Sequence, residues 1–173
     1  EKLNLKENYK KNTCVSYSVT NKNKVGAIIV SRLKSERLPN KALKLINEEP
    51  LVTHLIKRLK LAKNVDKIVL ATTKNNEDLK ICNIAKSNKI DFFRGEEKNV
   101  LSRFVSIGKK NNADVIVRLT GDNPFVNSEL VDYIVEQYLL NYPKSDYASN
   151  VNSRKVPYGL FVEVIKFNVL EKI

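Results

Sequence analysis

Four short apolar runs, separated by stretches with helical spacing, constrain this chain more than any other feature. Residues 25–30 (VGAIIV) are unbroken in apolar character, which suits a strand buried on both faces. Residues 67–72 (KIVLAT) read as a second buried strand, 90–93 as a short third strand and 114–119 (DVIVRL) as a fourth. Between them the apolar period changes to that of a helix. Pro50 suits the first position of one helix, followed by Leu51, Leu55, Ile56, Leu59 and Ala62. Asn76 is placed to cap a second, with Leu79, Cys82 and Ala85 as its face and Ile81 and Ile84 beside it. Val100, Leu101, Phe104, Val105 and Gly108 mark a third. Leu130, Val131, Ile134, Val135 and Tyr138 mark a fourth, with Asn127 as its cap. Residues 146–148 and 160–165 read as further strands. Alternation of this kind implies parallel strands joined by right-handed crossovers, with helices on both faces. Ligands of such sheets bind beyond the carboxyl ends of the strands.

The 173 residues, 42% of them hydrophobic, suffice for one sizeable core. Residues 1–23 are polar and aperiodic and read as a lead segment or linker, so the folded domain is expected over 24–173. The chain begins without Met and stops within a helical pattern, so the domain is expected to be C-terminally incomplete and part of a longer, multidomain chain. No run approaches the roughly 18 apolar residues of a membrane span, and there is no apolar signal core. The expectation is a cytoplasmic protein with no membrane partner. Cys14 and Cys82 have neither a metal-site spacing nor a disulfide framework. The net charge of +12 is spread over helix surfaces, as at Lys57, Lys60 and Lys63, in a chain rich in both Lys and Asn. A compositional bias explains that excess, and no basic and aromatic interleaving points to nucleic acid.

The local charge of residues 31–41 (SRLKSERLPNK) is a separate matter. The glycine-rich phosphate cradles G-x-x-x-x-G-K-[ST] and G-x-G-x-x-G are absent. A phosphorylated ligand would therefore need side-chain cations. Arg32, Arg37 and Lys41 lie just after the first strand, where Arg forks and a mobile Lys ammonium suit phosphate oxygens. A solvated basic loop is the competing reading. Pro39 biases Leu38 to an extended form and delays the next helix.

The order of these residues resembles the signature of the sugar cytidylyltransferases, A-R-x-x-S-x-R-L-P-x-K. That family includes the synthetases that activate 3-deoxy-manno-octulosonate and acylneuraminates, and a related group from spore-coat polysaccharide synthesis. Arg32, Ser35, Arg37, Leu38, Pro39 and Lys41 match, Ser31 replaces the Ala, and Pro50, Leu51 and His54 continue the match. The resemblance spans residues 25–163, including 67–72, Arg94, Gly95 and 117–124. It implies a Rossmann-like α/β/α sandwich of the nucleotide-diphospho-sugar transferase type. It further implies that Arg32, Ser35, Arg37 and Lys41 bind the triphosphate of CTP, with Arg32 and Lys41 also catalytic. The string R-L-T-G-D-N-P, residues 118–124, matches the family's metal element. Asp122 is thereby assigned a catalytic role as ligand of Mg2+, although an Asp in such a string also forms turns on its own. Arg118, Asn123 and Glu163 are the candidate substrate-binding residues, with Arg118 alternatively paired to a structural acid and Glu163 alternatively a surface acid of an edge strand.

Two departures qualify the resemblance. Relatives often read P-D-G-L-D-V-E-V where this chain has P-Y-G-L-F-V-E-V, so Tyr158 and Phe161 stand where carboxylates are expected. Asn99 and Ser102 replace Asp residues of a D-V-L-D-R string whose Arg103 is retained. His54, the only histidine, reads as a packing or capping residue. The expected activity is transfer of CMP from CTP to a sugar acid or sugar phosphate, with release of pyrophosphate, for surface polysaccharide synthesis. The resemblance also leaves a homodimer open. The alternatives are a glycosyltransferase of the same fold, or a catalytically impaired nucleotide-binding module of a larger protein.

Overall fold

Four parallel strands, from one edge inward, make up most of a six-stranded sheet in the computed structural model, which describes residues 23–35, 38–151 and 157–173. Strand β1 is Val25–Val30, the first apolar run residue for residue. A single turn at Lys41–Leu43 follows, then a two-stranded hairpin of β2 (Leu45–Ile46) and β3 (Glu49–Pro50), then helix α1 (Leu51–Leu59). Strand β4 (Lys67–Thr73), helix α2 (Leu79–Ser87), strand β5 (Asp91–Gly95), helix α3 (Val100–Asn111) and strand β6 (Val115–Thr120) complete the parallel part. Helix α4 (Ser128–Leu140), strands β7 (Tyr147–Ser149) and β8 (Glu163–Lys166) and the short helix α5 (Phe167–Leu170) follow. The sheet order is β5-β4-β1-β6-β8-β7. Strand β8 runs antiparallel to β6, and β7 antiparallel to β8. The expected α/β/α architecture with a mostly parallel sheet is therefore observed. Its antiparallel edge lies where, among the described residues, no helix separates β7 from β8, because parallel neighbours require a crossover.

Alternate residues of the central strands feed two cores. Ala27 and Ile29 of β1 face α1, α2 and α4, packing with Leu55, Ile81 and Val135. Ile28 faces α3 and α5, packing with Phe104, Ile107 and Phe167. Asn127 caps α4 by accepting from the Leu130 N–H at 3.0 Å, and Asn99 caps α3 by accepting from Ser102 at 2.8 Å. Among the described residues, no helix is long and apolar enough to cross a membrane.

Several local expectations need correction. Pro50 is the last residue of β3 and precedes α1, instead of being its first helical residue. The hairpin displaces it, turning through Asn47 and Glu48, both at positive φ. Asn76 does not cap α2: it begins a single 3-10 turn at Asn76–Asp78, and the helix proper starts after Asp78. That carboxylate is drawn away to the loop after β1, so α2 has no side-chain cap. Leu79 is 45% exposed, and Ile81, Cys82 and Ala85 form the buried face. Strand β8 begins at Glu163 rather than at residue 160. The lead segment lies outside the described residues except for its last position.

Gly108 lets α5 dock on α3. A Cβ there would lie 2.1 to 2.8 Å from ring atoms of Phe167. Gly108→Ala is thus expected to destabilise the fold by about 1–3 kcal/mol, despite the better helix propensity of Ala. Urea unfolding checks this, and a stabilised variant would contradict the packing described.

Candidate active site

At the carboxyl ends of β1 and β6 lies a cleft of about 720 Å³. Its walls include Ser31, Arg32, Ser35 and Lys41 from the segment after β1, Thr120 at the end of β6 with Gly121 and Asp122 just beyond it, Glu97 and Lys98 from the loop before α3, and Val100 and Arg103 from its first turn. The two central strands approach closely here. The Gly121 N–H donates to the Val30 carbonyl at 2.8 Å, and a Cβ on Gly121 would lie 2.7 Å from the Ser31 Cβ. Glycine is therefore required by space at this point.

The basic loop is tied down at two places. The buried Leu33 donates its N–H to Asp78 Oδ1 at 2.8 Å, and its carbonyl accepts from the Asn40 N–H at 3.0 Å. Asn40 adopts the left-handed region, φ 57°, which a short polar side chain tolerates. Lys41 follows and forms an ion pair with Asp122 across the cleft. Arg32 reaches Glu97 Oε1 at 3.2 Å, and the Asn75 amide donates to the other Glu97 oxygen at 2.9 Å.

The charges are mutually tuned. Burial pushes the Asp122 carboxyl up, but hydrogen bonds from Lys41 and Thr120, with the Lys41 charge, hold it below its ordinary value of 3.8. The Asn75 amide, then the charges of Lys34 and Arg32, hold the Glu97 carboxyl down against the upward pull of burial and Asp78.

Arg32, Ser35, Lys41 and Asp122 are thus brought to one cleft, while Arg37 lies outside the described residues. Arg118 and Glu163 are cross-strand partners on β6 and β8 and form an ion pair with each other. The Tyr147 hydroxyl also donates to Glu163, at 2.8 Å. Asn123 donates to the Thr120 hydroxyl at 2.9 Å. Tyr158 is 94% exposed and stands edge-to-face with Phe161, ring centres 5.6 Å apart. His54 Nε2 lies 2.8 Å from the Ile46 carbonyl oxygen and secures the hairpin.

For Mg2+, the cleft wall offers the carboxylates of Asp122 and Glu97 and the hydroxyls of Thr120 and Ser31. No group of three or more His, Cys, Asp or Glu stands ready for a metal among the described residues. That suits an ion held largely by ligand phosphates and water, which one or two carboxylates suffice to anchor. It does not suit an ion caged by protein alone.

Residue-level reading of the sequence missed Asp78 and Glu97, because their partners lie 45 and 65 positions away. Arg103 carried one signal, its retention in a string whose acids are replaced.

Comparison with known proteins places this cleft in context. A family model described as cytidylyltransferase matches residues 26–173. An uncharacterized protein of Methanocaldococcus jannaschii is 42% identical over 149 residues, 86% of this chain and 59% of that protein. The spore coat polysaccharide biosynthesis protein SpsF of Bacillus subtilis is 36% identical over 148 residues, 83% of this chain and 59% of that protein. The solved structure of a cytidylyltransferase from Leptospira borgpetersenii superposes with a TM-score of 0.83 at 34% identity, covering 87% of this chain and 63% of that one. CMP:2-keto-3-deoxy-manno-octonic acid synthetase, solved with CTP, shares the fold with a TM-score of 0.66 at 19% identity, covering 87% of this chain and 77% of that one. The chain spans less than two thirds of the length of the two relatives and of the Leptospira protein.

The Lys41–Asp122 pair, with side chains 28% and 35% exposed, yields a test without any ligand. Asp122→Asn is expected to cost less than about 1 kcal/mol at neutral pH. A depressed carboxyl contributes stability above its unfolded value and loses it as pH falls through the folded one. The gap between the two proteins in urea unfolding should therefore close as pH drops below 3.8. A gap that widens in acid would contradict the pairing.

Proposed function

The chain belongs to the cytidylyltransferase family, and from that premise we propose that it moves CMP from CTP to a hydroxyl of a sugar acid and releases pyrophosphate. The observation that carries this reading is the convergence of Arg32, Ser35, Lys41 and Asp122 on one cleft at the strand ends. The sugar-acid acceptor is supported by the likeness in fold to a synthetase that acts on such an acid. A role in surface polysaccharide synthesis is supported by the likeness to SpsF.

In this reading Arg32 and Lys41 exchange their carboxylate partners for oxygens of the triphosphate, and Ser35 adds a hydroxyl. The acceptor oxygen attacks the α-phosphorus in line, and the bond to the bridging oxygen breaks. The negative charge gathers on the departing pyrophosphate, where the two cations neutralise it. Such transfers depend on positioning and charge neutralisation. Mg2+ anchored by Asp122 would supply further neutralisation of the phosphates. Asn123, beside Asp122, and Arg118 with Glu163 on the adjoining strands form the acceptor side.

A second reading has a specific observation behind it. Phe161 and the outward-facing Tyr158 bring no carboxylate to Asp122, and Glu163 is already engaged by Arg118 and Tyr147. A module that binds CTP without turning it over fits that arrangement. Pyrophosphate release, measured with each nucleoside triphosphate and a panel of sugar acids, separates the two. Release with CTP, abolished by EDTA, is expected; CTP binding with no release under any acceptor would establish the second reading.

Arg32, with 53% of its side chain exposed, packs into neither core. Arg32→Ala should lower the rate of pyrophosphate release by about 10²–10³, as loss of one preorganised donor does, with an unchanged circular dichroism spectrum. Turnover at the parent rate would refute its role.

A further inference from the structure

The end of the sheet opposite the cleft carries mostly one sign of charge. Strands β1, β4, β5 and β6 all begin there, at levels fixed by the pairing of Gly26 with Lys67, Val25 with Val115 and Val69 with Asp91. The segments that lead into them from α1, α2 and α3 are residues 60–67 (KLAKNVDK), 86–91 (KSNKID) and 109–114 (KKNNAD). With Lys24, they hold eight lysines and three aspartates. The acids serve the fold. Asp66 accepts from the Val25 N–H at 2.9 Å, Asp114 accepts from the Lys24 N–H at 2.8 Å, and Asp91 pairs with Lys67 at 2.7 Å. Lys109 pairs with Glu171 at 3.3 Å. The exposed side chains of Lys24, Lys63, Lys86, Lys89 and Lys110 form no ion pair among the described residues.

Composition sets how many lysines there are, not where they fall. The helix macrodipole accounts for Lys86, Lys109 and Lys110, which lie in last helical turns. It does not account for Lys24, Lys63 or Lys89, which lie beyond the helices. Lys89 stands at φ 52°, where Gly or Asn would fit with less strain, so backbone geometry does not ask for a cation there. Two large apolar side chains stand at the same end. Leu61, 71% exposed, lies between Lys60 and Lys63. Leu140, 64% exposed, ends α4 beside a hollow that Asn64, Tyr142 and Lys144 also line. Cations on separate turns at one level, with bare leucines among them, match a plane of anionic groups over an apolar layer. A nucleic-acid backbone would meet the charges and offer the leucines nothing. We propose that this end of the fold docks on anionic lipid headgroups, with Leu61 and Leu140 reaching the acyl boundary. Such contact needs no spanning helix. It leaves the cleft, at the other end of the same strands, facing solvent, and it is independent of the reaction carried out there.

Cosedimentation of the full chain with vesicles of phosphatidylcholine, with and without phosphatidylglycerol, tests this. Binding is expected only with phosphatidylglycerol, and it should weaken as salt rises. Lys63→Glu, Lys89→Glu and Lys110→Glu together should weaken it by about a hundredfold. Lys44→Glu, Lys74→Glu and Lys80→Glu together give the same net charge but lie toward the carboxyl ends of the strands, and should leave it nearly unchanged. Leu61→Ser with Leu140→Ser should weaken it by about tenfold. Equal loss in the two lysine variants would reduce the effect to total charge and overturn the proposal. So would a parent protein that ignores phosphatidylglycerol, or a leucine variant that binds as the parent does. A generic RNA duplex bound more tightly than the vesicles, through the same lysines, would make this face a nucleic-acid surface and also overturn it. Should a variant unfold, hydrogen exchange of the unsubstituted protein decides. Vesicles should protect residues 60–67 and 109–114 and not residues 31–35, and any other pattern overturns the assignment.

Discussion

The buried carboxylate of Asp78 is the contact on which the site's geometry depends. At 1% exposure it would be costly to bury alone. It accepts instead from the Leu33 N–H, the Thr73 N–H and the Thr73 hydroxyl, joining the loop after β1 to the end of β4 and the entrance of α2. Leu33 is buried in the core formed with α1, α2 and α4. With its backbone held at both sides, the flanking Arg32 and Ser35 are delivered to the cleft by a residue that takes no part in lining it. A charged loop becomes a defined surface because one apolar side chain and one hidden acid immobilise its base.

The sheet contributes the second constraint. β1 and β6 run side by side in the same direction, from Val25 with Val115 to Val30 with Thr120. Their ends open at the same height, so residues 31–35 and 120–122 meet without long connecting segments. The antiparallel β8 reaches that height from the other direction, bringing Phe161 and Tyr158 toward Asp122's side of the sheet by way of Glu163, the partner of Arg118. The departure from the relatives' acidic string thus falls beside β8, across β6 from the loop that carries the cations.

Most of the parallel framework was legible because each central strand is buried on both faces and shows it as an unbroken apolar run. Residues 25–30 match their strand to the residue. The hairpin at 45–50 left no periodic trace, since its strands are two residues each. Glu48 at φ 65° also hides a turn that Gly would have announced. The direction of β8 was not legible either: direction depends on what joins strands, and apolar content does not reveal it. In the site, the order of Arg32, Ser35 and Lys41 was readable as a string. The engagement of Arg32 with Glu97, or the burial of Arg103, was not, because each is settled by distant residues that meet only after folding.

The pairing of Lys41 with Asp122, and of Arg32 with Glu97, neutralises two of the cations that line the cleft in a chain of charge +12, with Lys98 and Arg103 standing outside these pairs. A polyanion that reaches Arg32 or Lys41 displaces a carboxylate instead of stripping water from a bare cation. Part of the desolvation is thus already met when the chain folds. At these two positions the cleft behaves less as an electrostatic trap acting at long range than as an ion exchanger acting on contact. Attraction over a Debye length, about 8 Å at physiological salt, carries little of the selectivity, and discrimination falls to the shape and spacing of the groups that trade places.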